Sequence, residues 1–175
     1  MLLDQAALEK ATSDVPRALE LTEEALAIAH TLHANDMEAL ISSAKAAYLT
    51  LTERFDEARS AMRSALRILR DELLDMREVT LQPCIALAIH DQDLDRAAKL
   101  LGYRKADSKG WVRETRRVPM DIDALVGSLS DQLGEARFEA LMAEGAVWSK
   151  ERAIEEALIV CSQVDGRAAG EAQRR

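Results

Sequence analysis

The stretch FDEARSAMRSAL, residues 55–66, places an apolar residue three positions ahead of an alanine, and the arrangement recurs in VPRALELTEEAL, residues 15–26, and LDRAAKLLGYRK, residues 94–105. Val15 leads Ala18, Phe55 leads Ala58 and Leu94 leads Ala97, at intervals of 40 and 39 residues. The first two copies stay in register through Thr22, Ala25 and Leu26, matched by Met62, Ala65 and Leu66, and the third loses the pattern at Arg104 and Lys105. A small side chain early in a helix lets a second helix approach closely, so the repeat predicts packed helices. Between the first two copies, Met37, Leu40, Ile41, Ala44, Ala47, Tyr48 and Leu51 recur at helical spacing. The repeating unit therefore reads as helix, turn, helix.

Working outward, a short helix is expected over residues 2–12, where Leu2, Leu3, Ala6, Ala7 and Leu8 make an apolar end. Its shortness suggests that the repeats begin partway through a longer array, and its apolar face suggests self-association. Another helix is expected over 77–90, where Pro83 removes a backbone donor and should kink or restart it. Toward the C-terminus, FEALMAEGAVWSKERAIEEAL, residues 138–158, reads as a helical hairpin. Gly145 would supply the left-handed turn that stops its first helix, and Ser149 would cap the second. Phe138, Leu141, Met142, Trp148, Ile154 and Leu158 should then face one core, with Glu139, Glu144, Glu151 and Glu155 in water.

Composition supports an all-α reading. Aromatic residues are 3% of the chain although apolar residues are 48%, so Ala and Leu must supply most of the packing. The net charge of -8 disfavours broad attraction to nucleic acid or anionic lipid. That charge is polarised: the segment YRKADSKGWVRETRR, residues 103–117, carries a local balance of +4 and leaves -12 on the rest. Its Arg104, Lys105, Lys109, Arg113, Arg116 and Arg117, interleaved with Tyr103 and Trp111, suit an acidic partner, a nucleotide or a phosphate backbone. The competing reading, which is favoured, is a solvated link that docks on the acidic repeats of its own chain.

Other groups argue for little chemistry. His30 and His33 lie three apart with Asp36 following, but two imidazoles fall short of a metal ligand set, and they read as residues flanking a helix C-terminus. His90 and Asp91 read the same way. Cys84 and Cys161 match no metal or redox spacing and read as buried thiols. Glu23 with Glu24, and Glu155 with Glu156, read as solvated faces. No nucleophile stands near a base and an orienting acid, so no catalytic residue, cofactor or metal is expected.

The paired helices with small residues resemble tetratricopeptide repeats. The period near 40 is similar to that of the C-terminal regions of bacterial LuxR-type and other ATPase-linked transcriptional regulators. The resemblance spans about residues 36–160 and is closest in QDLDRAAKLLGYRKA, residues 92–106, and SLSDQLGEARFEALMAEGAVWSKERAIEEAL, residues 128–158. No GxxxxGK[ST] phosphate loop and no DNA-reading helix-turn-helix occurs, so the NTPase and DNA-binding activities of such regulators are not expected here.

The resemblance implies a right-handed, TPR-like array over residues 1–110, a C-terminal helical hairpin cap over 111–162 and a flexible tail over 163–175, all in one continuous domain. It implies a non-enzymatic protein-interaction or sensing module of a bacterial transcriptional or signalling regulator. By the same analogy Ser42, Lys45, Ala46, Leu49, Ile85 and Ile89 would line a groove for a protein or peptide partner. The alternative is nucleotide or nucleic-acid binding through residues 103–117. Asp4 and Glu9 interrupt any signal peptide and no stretch approaches the ~20 apolar residues of a membrane span, so a cytoplasmic protein is expected. Replacing Ala58 by Leu should overpack the inter-helix contact and cost roughly 1–3 kcal/mol in denaturant unfolding, whereas an unchanged midpoint would remove the basis of the repeat.

Overall fold

The computed structural model of the protein describes residues 15–71, 81–106 and 122–162. Among these residues there are eight α-helices and no strand. They are α1 (Val15–Leu32), α2 (Asn35–Leu51), α3 (Phe55–Asp71), α4 (Gln82–His90), α5 (Leu94–Ala106), α6 (Ile122–Leu133), α7 (Glu135–Ala146) and α8 (Lys150–Ser162). Three of them begin at the residues that lead the repeated signature, Val15, Phe55 and Leu94. The expected helix over 2–12, the basic residues Lys109 to Arg117 with Trp111, and the tail 163–175 lie outside the described residues.

Local geometry explains why the starts at Phe55 and Leu94 coincide with the signature, and a stop of the same kind precedes α2. His33, Glu53 and Gln92 all have positive φ, at 52°, 58° and 63°. Around Glu53, the Arg54 amide donates to the Leu49 carbonyl at 2.9 Å and the Glu53 amide to Thr50 at 3.1 Å. Around Gln92, the Asp93 amide donates to Ala88 at 2.9 Å and the Gln92 amide to Ile89 at 3.0 Å. His33 repeats both bonds through Ala34 to Ala29 and His33 to His30. Each is a Schellman stop, in which one left-handed residue returns the orphan amides to the last turn, and the next helix starts two residues later. The first intrahelical bonds then run from Ala58 to Arg54 and from Ala97 to Asp93, so the signature alanine closes the first turn.

Packing follows chain order: α1 on α2, α2 on α3, α4 on α5 and α6 on α7. Ala58 and Ala97 are fully buried in these seams. Ala18 is only half-buried, and the helix expected to cover it lies outside the described residues. The buried face of α2 is rotated from the one expected. Ala39, Ser42, Ser43, Ala46, Ala47 and Leu49 are buried, whereas Met37 is exposed and Leu40, Ile41 and Tyr48 are half-buried. Lying between α1 and α3, α2 uses its smallest residues at closest approach, and the Ser43 hydroxyl satisfies itself on the Leu40 carbonyl at 2.8 Å. Pro83 restarts the chain rather than kinking it, standing in the first turn of α4 where a missing amide forfeits no helical bond.

The C-terminal segment departs from a paired hairpin. α7 packs mainly on α5, α8 packs on α3, α4 and α5, and α7 and α8 make little contact with each other. Gly145 is not the left-handed stop: it lies inside α7, buried, and a Cβ there would collide with the Lys99 carbonyl of α5. Gly102 of α5 answers it, since a Cβ there would collide with the Met142 carbonyl of α7. The two helices thus cross backbone to backbone, each presenting a glycine to the other's carbonyl, a geometry suited to Cα–H···O contacts. The left-handed glycine is Gly134, at φ 79° between α6 and α7. The six apolar residues expected to share a core do so, and Glu139, Glu144, Glu151 and Glu155 are exposed.

The two kinds of helical glycine should respond oppositely to a methyl group. Gly102→Ala should force α5 from α7 and destabilise the protein by roughly 3 kcal/mol. Gly127→Ala, in the middle of α6 with nothing within 4 Å of the added carbon, should stabilise it by about 0.5–1 kcal/mol. A Gly102→Ala variant that melts no lower than the unsubstituted chain would refute the crossing.

Candidate functional site

The densest polar chemistry lies where α3, the α4–α5 turn and α8 meet. Arg59 of α3 is 2% exposed, and its guanidinium grips Asp91 with two bonds, Nη2 to Oδ1 at 2.6 Å and Nη1 to Oδ2 at 2.9 Å. Nη1 also donates to the Val160 carbonyl at 3.3 Å, and Arg63, one turn along α3, donates to the Cys161 carbonyl. Those carbonyls belong to the last described turn of α8, the end of a helix at which carbonyls take partners from outside it. The two arginines therefore cap α8 from another helix and set positive charge at the negative end of its dipole.

A second knot continues the seam. Arg96 of α5 pairs with Asp93 and donates from Nε to Glu156 Oε2 at 2.7 Å, while Arg152 reaches Glu156 Oε1 at 2.5 Å. Glu156 is 7% exposed, which corrects the expectation of a solvated Glu155–Glu156 face: Glu155 is exposed and Glu156 turns inward to two arginines. The start of α8 is fixed as expected, with the Arg152 amide donating to the Ser149 hydroxyl at 3.3 Å. The neighbouring Glu151 carboxyl is held below its usual range by its own backbone amide and the Ser149 hydroxyl. Trp148, half-buried against the core, lies with its ring 6.0 Å from the Arg152 guanidinium carbon.

Within the core behind these charges lie the two thiols. Cys84 of α4 and Cys161 of α8 are both fully buried and unlinked, with sulfurs 3.8 Å apart although 77 residues separate them. Contact with the Cys161 sulfur and loss of water push the Cys84 thiol well above its ordinary pKa, so it is protonated at neutral pH.

The other sequence-predicted positions disperse. Of the expected groove, Ser42, Ala46, Leu49 and Ile85 are buried, Ile89 is half-buried, and Lys45 ties α2 to α1 through Glu23 at 3.0 Å. Of the basic segment, Arg104 is buried at the end of α5 and Lys105 is exposed. His30, in the last turn of α1, has Nδ1 3.2 Å from Glu38 of α2, and His90, ending α4, stacks on Phe55 at 3.8 Å between ring centroids.

One surface feature was not anticipated. Along α1, Ala18, Leu21, Ala25, Ile28 and Leu32 follow one another at spacings of three and four, and Leu21, Ile28 and Leu32 are 48%, 61% and 69% exposed. Val15, Leu19, Thr22, Leu26 and Ala29 form a parallel seam that faces α2. The row has the alternation of a coiled-coil seam, and Met37 near the start of α2 is exposed as well. Its signal was present in the sequence, but the overlapping seam beside it hid which of the two is covered.

The fold and these sites define an all-α protein of sequentially packed helices, with no helix among the described residues long and apolar enough to cross a membrane. No family model, curated protein or solved structure matches the chain.

Removing one partner of the buried pair tests the clamp. Asp91→Ala should leave the buried Arg59 charge without its carboxylate and cost about 3–5 kcal/mol in urea unfolding, and adding Arg59→Met should recover part of that loss. Additive losses from the two substitutions would show that the pair does not couple α3 to the α4–α5 turn.

Proposed function

We propose that the protein is a non-enzymatic protein-interaction or sensing module of a bacterial transcriptional or signalling regulator, built as a TPR-like array of helix pairs. The row Ala18, Leu21, Ala25, Ile28 and Leu32, with its Leu and Ile side chains exposed and its alanines half-buried, carries this reading. Three- and four-residue spacing presents knobs to a second helix, and an exposed apolar stripe of this length is what a helical partner covers. Beside the stripe stand Glu24 and an Arg17–Glu20 ion pair at 2.7 Å, so the partner is an amphipathic helix whose apolar face meets the stripe and whose polar flank meets this charged edge. The reading replaces the groove along the first helix of each pair, whose residues are mostly committed to the core, with the outer face of α1.

Nucleotide or nucleic-acid binding through residues 103–117 is the weaker proposal, because Arg104 is turned into the fold and Lys105 is the one described basic residue of that segment left exposed.

A photo-crosslinking amino acid at Ile28 should trap one helical partner in cells, or a second copy of the chain if the partner is itself. The same group at exposed Glu139 should not. Leu21→Glu with Leu32→Glu should abolish the crosslink while circular dichroism and melting temperature stay unchanged, because both side chains already face water. A crosslink that survives those substitutions, or that Lys105→Glu removes instead, would sink the α1 reading.

A further inference from the structure

We infer that Cys84 and Cys161 are a reversible dithiol–disulfide site, whose oxidation ties the C-terminal turn of α8 to the first turn of α4. Three observations carry it. The sulfurs are 3.8 Å apart and the thiols are unlinked, so side-chain rotation and a small shift of α8 bring them to the about 2.0 Å of a disulfide. The pair joins elements that are not neighbours in the chain, since 77 residues separate the two positions. Finally, the carbonyls of Val160 and Cys161 are held from outside the helix by Arg59 and Arg63, so contact with these two arginines holds closed the turn that bears Cys161.

That contact also sets when the reaction occurs. Both thiols are fully buried and Cys84 is held protonated, so neither is an effective nucleophile while α8 is docked. Loss of the Arg63 bond frees the turn of α8 that bears Cys161, so local opening there exposes Cys161 first. The co-reactant is a low-molecular-weight disulfide. The Cys161 thiolate attacks one of its sulfurs, that disulfide bond breaks, and the first small thiol leaves with the proton Cys161 gave up. The Cys84 thiolate then attacks the Cys161 sulfur of the mixed disulfide and releases the second small thiol, which takes the Cys84 proton. Two protein thiols are oxidised and one external disulfide is reduced to two thiols. With the two sulfurs 3.8 Å apart, the second thiol stands beside any mixed disulfide formed on the first, which favours the internal bond over a capped cysteine.

The test uses the full reduced chain, incubated with glutathione disulfide, quenched in acid, unfolded and alkylated for intact-mass and peptide analysis. The expected product is a monomer about 2 Da lighter, with no alkylation, no glutathione adduct and a linked pair of peptides bearing Cys84 and Cys161. Its melting temperature should rise by several degrees and return on treatment with dithiothreitol, because the bond closes a long loop of the unfolded chain. Arg63→Ala should speed the reaction by about tenfold, since a lost charge-assisted bond loosens the α8 end by that factor in its opening equilibrium. Persistent glutathione adducts, disulfides between chains, or two thiols still fully alkylated after treatment would overturn the site. An Arg63→Ala rate equal to that of the unsubstituted chain would overturn the gating by α8.

Discussion

The arrangement of the C-terminal half depends on where Arg59 puts its charge. A guanidinium 2% exposed must find acceptors or forfeit several kcal/mol of hydration, and it finds them in two different elements, the Asp91 carboxylate and the Val160 carbonyl. Asp91 sits at the end of α4 and Val160 near the end of α8, so a single side chain of α3 specifies how both approach it. Apolar burial alone would not do this, because Ala, Leu and Val surfaces tolerate sliding by a turn. Arg63 and the Glu156 knot repeat the same logic along α8, which is thereby held in register at its end by α3 and in its middle by α5.

The glycine crossing explains why α7 does not accompany α8. With Gly102 and Gly145 each placed against the other helix's carbonyl, α7 lies closer to α5 than any side-chain-mediated contact allows. That leaves α8 to turn away through Val147, Trp148 and Ser149 toward the arginines of α3. The two C-terminal helices are consequently drawn to different neighbours by different forces, close van der Waals packing for one and hydrogen-bonded charge for the other.

These causes mark the boundary of what could be read in the sequence. Helix starts at Phe55 and Leu94 were legible because they follow from local rules, an apolar lead and a small residue closing the first turn. The cap at Ser149 and the shared core of Phe138, Leu141 and Ile154 were legible for the same reason. Gly145 was misread because a glycine near a helix end serves equally as a left-handed stop or as a gap for another backbone, and only the neighbour decides. Glu156 and Glu155 are indistinguishable in sequence, yet one position of rotation carries Glu156 to Arg96, sixty residues away. The meeting of Cys84 with Cys161 is likewise a property of tertiary path: spacing rules for thiols describe sites within one loop or turn, and these two belong to separate helices.

The distribution of these features gives the molecule two unlike sides. On the side of α8, charge pairs and arginine-held carbonyls tie the helix to α3 and α5 over two buried thiols. On the side of α1, a row of Leu and Ile side chains stands in water beside a second row that already serves as core. Core seams of this protein are made by small residues at closest approach, as Ala39, Ala46, Ala58 and Ala97 show. The outer row of α1 alternates Ala18 and Ala25 with Leu21 and Ile28 in the same manner, so it offers an incoming helix the kind of surface that α2 and α3 offer one another. A partner that extends the packing outward from α1 would meet a face built by the rules of the interior, without disturbing the charge-locked end.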